Sequence, residues 1–477
     1  IHSDEWPPRE KQKLAQVTEK QLLAPEMLFD LVDTNQRQKL RLILNDQHSA
    51  DLAECFEELP PSYRISCFRV LDLDNASALL AELEPDKQSE LLRDLGNNSI
   101  AALVVNMSPD DAVDLLSELP ETKAREIIDQ VLDAEVKEDL TQLMTFKEDT
   151  AGGIMSTDYL ALKSGMTVAE ALVYLRDQYE DLEEEIYDVY VVGSNEELVG
   201  VVTLKELLTA SPEVLVHSIM DEDLVYVEAD VDQEHAAEKL SRYDLLTLPV
   251  VNQHKQLLGI ITADDVIDVL KEEATEDIYQ SSGISAGSET QEQLGYNVRR
   301  AFSARLPWLL VTLMIETGSA SVITHFDSVI QQTVQAAAFM PLLSGVTGSV
   351  ATQSTCIVIR GTGRTAGFGL KAALRNIWHE VKVGVLLGLF CGLSCYLVST
   401  FMGSSSQALG IVVATSLFIT MTVGVLLGTL MPMLFQKLGV EPAHASGPFI
   451  TSILDVCTMS IYLTIVHLFL SHFHSGF

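Results

Sequence analysis

Apolar and polar positions change pattern near residue 300. Beyond it, five stretches are apolar over nearly their full length, roughly 307–326, 331–359, 381–401, 408–435 and 447–470. A hydrocarbon core of ~30 Å takes about 20 helical residues to cross, so each stretch is predicted to be a membrane-spanning helix. Residues 22–146 read differently, as short pieces of helical periodicity. The pieces are punctuated by Leu59-Pro60-Pro61, Leu83-Glu84-Pro85, Met107-Ser108-Pro109 and Leu119-Pro120. Proline loses no helix hydrogen bond in a first turn, so each Pro marks a helix start. The prediction is an α-helical superhelical N domain.

Residues 154–270 repeat themselves. Ile154-Met155-Ser156 returns as Ile219-Met220-Asp221, and Thr167-Val168-Ala169-Glu170-Ala171-Leu172 returns loosely as Asp232-Gln233-Glu234-His235-Ala236-Ala237. Val191-Val192 with Leu198-Val199-Gly200-Val201-Val202-Thr203 returns as Val250-Val251 with Leu257-Leu258-Gly259-Ile260-Ile261-Thr262. Two β-α-β-β-α units are predicted. From Asp264 to Ile278 a helix follows with carboxylates on nearly every exposed turn and a single Lys271. Like charges at i and i+4 repel by a few tenths of a kcal/mol per pair. Alone such a helix is a solvated linker; between a folded module and a membrane domain it suggests a cation-dependent strut.

Composition sharpens this division. The 477 residues are 47% apolar yet carry a formal charge of −37, with mean hydropathy +0.19. Residues 301–477 hold seven Lys and Arg against five Asp and Glu, which leaves 24 against 63, or −39, for the first 300. No nucleic acid partner is expected, because phosphate binding needs basic excess; divalent cations are. Arg299, Arg300 and Arg305, the stretch Arg360 to Lys382, and Lys437 flank alternate ends of the five spans. The positive-inside rule then places the N-terminus in the cytosol and the C-terminus outside, in the cell membrane. Trp308, beside Pro307 and Arg305, fits an interfacial anchor. The chain starts at Ile1 and opens on no basic n-region with an apolar run after it, so no secretory signal is expected. Cys55, Cys67, Cys356, Cys391, Cys395 and Cys457 have no paired metal spacing and read as reduced thiols.

Two carboxylates fall inside spans, Glu316 and Asp455. Acids at that depth usually face a wet cavity, a partner or an ion path. Asp455 follows Gly447-Pro448 and hydroxyl-bearing Thr451 and Ser452, which favours a functional role. Glu316 is followed by Thr317, Gly318 and Ser319, which could equally satisfy it within a helix contact. Pro341 to Thr355 packs small and hydroxylated residues where the middle of a helix is expected. Its glycines fit tight helix packing as well as a broken helix lining water, and Gln353 favours the lining. No aspartyl pair within one subunit and no His-Glu-x-x-His run is present, so no enzyme is expected.

The duplicated unit resembles a pair of CBS domains, whose resemblance implies an adenine-nucleotide site such as ATP at Thr262 and Asp265, or a purely structural pair. The first unit has Glu206 where that Asp would stand. The whole order is similar to the MgtE-type magnesium channel/transporter family. The resemblance is carried by Asp149-Thr150-Ala151-Gly152-Gly153-Ile154-Met155, Glu273-Ala274-Thr275-Glu276-Asp277-Ile278, Arg305-Leu306-Pro307-Trp308-Leu309, Gln353-Ser354 after Pro341, and Asp455-Val456 through Ile461-Tyr462. It departs from the family at Gly153, Thr347-Gly348-Ser349, Ala351, Glu441-Pro442, Gly447-Pro448 and Cys457-Thr458.

The resemblance implies a multi-domain membrane protein. Its parts are an acidic helical superhelix domain (22–148), first and second CBS domains (149–211 and 212–270), an acidic connecting helix (271–300) and a five-helix transmembrane domain (301–477). It implies a homodimer in the lipid bilayer, with a pore on the two-fold axis and Asp455 recognising Mg²⁺. Mg²⁺ prefers six oxygens and keeps its waters, so Gln353, Thr451, Thr352 and carbonyls near Gly447 are expected as outer acceptors. By the same resemblance Mg²⁺ also regulates. Its bridging groups are Asp110, Asp111 and Asp114 against Asp264, Asp265 and Asp268, with Glu272, Glu273, Glu276, Asp277 and Glu441. The alternative is a carrier or exporter of Co²⁺ or another divalent metal, given Cys457 beside Asp455.

Overall fold

The computed structural model describes residues 25–178, 188–285, 298–362, 370–401, 407–438, 440, 442–444 and 447–472. It divides into two compact units, residues 1–270 and 271–477.

Among the described residues, the first unit begins with ten short helices: α1 (Pro25–Asp33), α2 (Arg37–Leu44), α3 (Ser49–Glu58), α4 (Pro61–Phe68), α5 (Leu73–Glu82), α6 (Pro85–Arg93), α7 (Asn97–Val105), α8 (Pro109–Ser117), α9 (Glu121–Ile128) and α10 (Ala134–Leu143). Proline occupies the first turn of α4, α6 and α8, as the sequence predicts. Pro120 stands one residue earlier, at the N-cap of α9, and marks that helix start as well. Each helix is too short to persist alone in water; burial of Leu52, Phe56, Leu79, Leu92, Ile100 and Leu116 holds the stack together.

Two three-stranded sheets follow. The first orders β1 (Ala161–Lys163), β2 (Asp188–Val192) and β3 (Leu198–Thr203) with α11 (Val168–Gln178) and α12 (Leu204–Thr209). The second orders β4 (Val227–Glu228), β5 (Thr247–Val251) and β6 (Leu257–Thr262) with α13 (Gln233–Tyr243). In both, the first strand is parallel and the hairpin antiparallel. The duplication becomes reciprocal in space. Ser156, ahead of the first repeat's sheet, pairs with Ile260 of the second repeat, while Asp221, ahead of the second repeat's sheet, pairs with Val201 of the first repeat. The repeated glycines make this exchange possible. A Cβ on Gly200 would lie 2.5 Å from Met220 Sδ, and one on Gly259 2.5 Å from the Ser156 carbonyl and 3.0 Å from Met155. The helical domain shares one continuous core with the second repeat through Val227, Ala237, Leu240, Leu248, Val266 and Val269.

The acidic helix expected over Asp264 to Ile278 is present. α14 (Ala263–Ser281) starts directly after β6 and runs through the boundary between the two units. Thr262 caps it, so the last helix of the second repeat and the acidic strut are one element.

Among the described residues, the second unit holds five helices long and apolar enough to cross a membrane. They are α15 (Val298–His325), α18 (Met340–Thr362), α19 (Leu370–Phe401), α20 (Gln407–Lys437) and α21 (Gly447–His472), with α16 (Asp327–Gln332) and α17 (Val334–Ala337) joining the first two. The second stretch departs from expectation. Pro341 lies in the first turn of α18 rather than mid-helix, and the helix runs unbroken through Gly345 and Gly348. A proline without an N–H is best placed in a first turn, so the chain turns through α16 and α17 before it.

Candidate ion sites

In the membrane unit, Asp455 is half-buried on α21 and Ser344 of α18 donates its hydroxyl to Asp455 Oδ1. Glu316 of α15 meets the same carboxylate, with Ser319 and Ser452 beside it. Small residues let the three helices approach. Gly318 stands where a Cβ would lie 3.3 Å from Val456, and Gly348 where one would lie 3.1 Å from the Thr451 methyl. The sequence singled out Glu316 without giving it a role, and missed Ser344. Four or three residues separate a Glu from a Ser on one helix face, but a contact between Ser344 and Asp455 crosses 111 residues.

The remaining expected membrane residues lie at other levels. Thr451 is one turn before Asp455 and donates to the Pro448 carbonyl at 3.0 Å. A Cβ on Gly447 would lie 3.4 Å from the Thr352 methyl and 3.7 Å from the Ser281 carbonyl, so the end of α14 reaches the entry of α21. Gln353 is exposed. It lies nine residues beyond Ser344, about 13 Å along the helix, and lines an open groove with Pro341, Gly345, Ser349, Leu387 and Cys391. Thus α18 divides its small-residue run. Thr347, Gly348, Ala351 and Thr355 are buried against neighbouring helices, while Gly345, Ser349 and Gln353 face outward. Glu380 is a further buried acid, 7% exposed, whose Oε2 accepts from Ser354 at 3.0 Å. Trp308 donates Nε1–H to Ser285 at 2.9 Å and meets Phe449 edge-on at 6.3 Å, so it anchors within the protein.

In the first unit, α8 and the start of α14 bring carboxylates together. Burial pushes the Asp111 carboxyl up, against a hydrogen bond from Ser108 (2.7 Å), and Glu82 and Asp264 raise it further. Asp265 is pushed up to about 6, first by burial and then by Asp264 and Asp111, although Thr262 donates to it. Asp110 is buried in the first turn of α8, whereas Asp114, Asp264 and Asp268 are exposed. On the remainder of α14, Glu272 and Asp277 are exposed and Glu273 and Glu276 half-buried. Glu441 lies outside the described residues. Among the described residues no three His, Cys, Asp or Glu side chains converge as a complete metal site.

Thr262 and Asp265, expected at a nucleotide, are joined to each other as the cap of α14. Thr203 and Glu206 form the matching capping box on α12, with the Thr203 N–H donating at 2.9 Å and its hydroxyl at 2.8 Å. Glu in place of Asp therefore preserves the cap. Between the repeats, Tyr190 and Thr247 share a buried 2.7 Å hydrogen bond, and burial pushes the neighbouring Asp188 up. Nothing in the strand alternation singled out that cross-repeat group.

Comparison with known proteins covers both units. The divalent cation transporter family MgtE matches residues 340–465, the MgtE intracellular N domain 47–149, and CBS domains 151–213 and 216–272. The chain is 33% identical to the magnesium transporter MgtE of Bacillus subtilis over 430 residues, 90% of this chain and 94% of that one. It is 36% identical to the magnesium transporter MgtE of Thermus thermophilus over 340 residues, covering 71% and 74%. A crystal structure of the cytosolic domain of the Mg²⁺ channel MgtE in complex with ATP is 34% identical, with TM-score 0.49, covering 52% of this chain and all of that one. Relatives across nearly the whole length are transporters, not enzymes, and this multi-pass membrane protein belongs to the MgtE family of divalent cation transporters.

Proposed function

We propose that this chain moves Mg²⁺ across the cell membrane as a homodimer and that cytosolic Mg²⁺ closes it. The carrying observation is Asp455, a carboxylate about 12 Å into α21 at 1.5 Å per residue from Gly447. Helical depth and surrounding hydroxyls suit it to hold a small, strongly hydrated divalent ion partly through its waters. Thr451, Thr352, Gln353 and the Gly447 region supply further oxygens along the path. Relatives named as magnesium transporters support the choice of ion. The positive-inside arrangement puts the acidic parts in the cytosol and the C-terminus outside.

The five parts then have distinct tasks: 22–148 and the CBS pair (149–211, 212–270) sense, 271–300 transmits, and 301–477 conducts. Asp111, Asp264 and Asp265 repel without an ion, and Asp110, Asp114 and Asp268 add charge nearby in sequence. A cation between them favours the compact form by its greater affinity for that form. Glu272, Glu273, Glu276, Asp277 and Glu441 extend the same response toward the membrane. ATP at the CBS pair is a second regulator in this reading, held near Thr262 and Asp265. A carrier or exporter of Co²⁺ is the other reading, favoured by Cys457, the sulfur-bearing neighbour of Asp455. Uptake of Mg²⁺, Co²⁺ and Ni²⁺ by proteoliposomes decides. Mg²⁺ uptake lost in Asp455→Ala supports the proposal; Co²⁺ uptake without Mg²⁺ uptake, or an active Asp455→Ala, overturns it.

A further inference from the structure

The two intramembrane acids belong to different helices, yet Glu316 of α15 and Asp455 of α21 meet within one chain. Asp455 lies eight residues beyond Gly447, and Glu316 lies nine residues before His325, so each is about 12–14 Å from a helix end. Every Lys and Arg from residue 301 onward lies outside or at the edge of the five apolar stretches. The groups around the pair are neutral hydroxyls: Ser344 donates to Asp455, and Ser452, which also donates to the Pro448 carbonyl at 2.9 Å, flanks Glu316. A second observation points to a ligand. Ser319 is 7% exposed and its buried Oγ, beside the Glu316 carboxyl, has no other hydrogen-bond partner among the described residues.

Two carboxylates at this depth cost several kcal/mol when uncompensated. An oxygen-only cluster of two acids and hydroxyls has the chemistry of a hard divalent cation site. We propose that Glu316 is a second ion ligand. Each chain contributes two carboxylates, Glu316 and Asp455, that bind one small divalent cation directly, with Ser344 and Ser319 as neutral oxygens. This deepens the reading of Asp455 above and rests on it. A single carboxylate can recognise an ion through its water shell, whereas two from one chain displace part of that shell. Glu316 therefore sets the affinity of the path for its ion.

The test measures Mg²⁺ uptake against concentration in proteoliposomes containing the full chain, with monodispersity in detergent checked for each variant. Glu316→Gln keeps the volume and hydrogen-bonding capacity but removes the charge. Loss of a group that supports a bound metal typically lowers affinity ~10- to 100-fold. The expected result is a KM at least ~10-fold higher with maximal uptake close to wild type, and substantial recovery in Glu316→Asp. If Glu316→Gln is inactive at every concentration, Glu316→Asp decides: recovered uptake supports the second ligand, and equal loss overturns it. A KM unchanged in Glu316→Gln while Asp455→Asn is inactive also overturns it, leaving Asp455 as the ion-recognising residue. Uptake that survives in Asp455→Asn overturns both the second ligand and the reading of Asp455.

Discussion

The first 300 residues and the membrane-spanning residues 301–477 treat carboxylates in opposite ways. The first crowds 63 acidic residues into the first 300 positions and leaves most of those named here exposed or half-buried. The second carries five in 177 positions, and its three innermost each meet a serine: Glu380 with Ser354, Asp455 with Ser344, Glu316 with Ser319. Water screens the former, so individual acids there contribute little and act in number. The latter have no such solvent, so each needs a designated partner. The difference teaches where single substitutions matter and where only sets do.

The largest effect expected is in the membrane unit. Asp455→Asn should reduce Mg²⁺ uptake by at least ~10-fold, and a smaller change would break the contrast outright. In the acidic unit, a set is needed. Replacing Asp264, Asp265 and Asp268 together by Asn should leave maximal conduction intact and raise the internal Mg²⁺ needed for inhibition about tenfold, some 1.4 kcal/mol of differential binding. Patch-clamp currents still fully inhibited at the wild-type concentration would contradict this.

Three smaller effects sharpen the comparison through stability. Gly259→Ala sets a new methyl against the Ser156 carbonyl, whereas Gly200→Ala meets the movable Met220 side chain. Thermal unfolding should register about 1–3 kcal/mol for the former and less for the latter. Glu380→Ala strands the buried Ser354 hydroxyl and should cost about 1–3 kcal/mol, while Glu380→Gln, which retains an acceptor, should cost less. Finally, folded Asp265 holds its proton more tightly than the unfolded chain does, since its carboxyl is raised to about 6. Without divalent ions, calorimetry should show the N-terminal unit gaining stability as pH falls from 7.5 through 6. The gain should be of order 1 kcal/mol and much reduced in Asp265→Asn.

Much of the architecture was legible along the chain because it rests on local physics. Apolar length announced five spans, proline marked the starts of α4, α6 and α8, and repeated Gly-h-h-Thr runs announced two copies of one unit. The charge division near residue 300 separated a strongly acidic part from a membrane part before any contact was known. Tertiary structure decided the rest. It moved Pro341 from the middle of a helix to its start, since periodicity cannot distinguish one interrupted span from a short turn and a complete helix. It also divided α18 into a packed face and an open one, assigning each glycine to packing or to groove. Above all it placed Glu316 and Ser344 at Asp455. A carboxylate's cost in a membrane is readable from its position in the sequence, but its partners are set by how three helices pack, and no spacing along the chain encodes that.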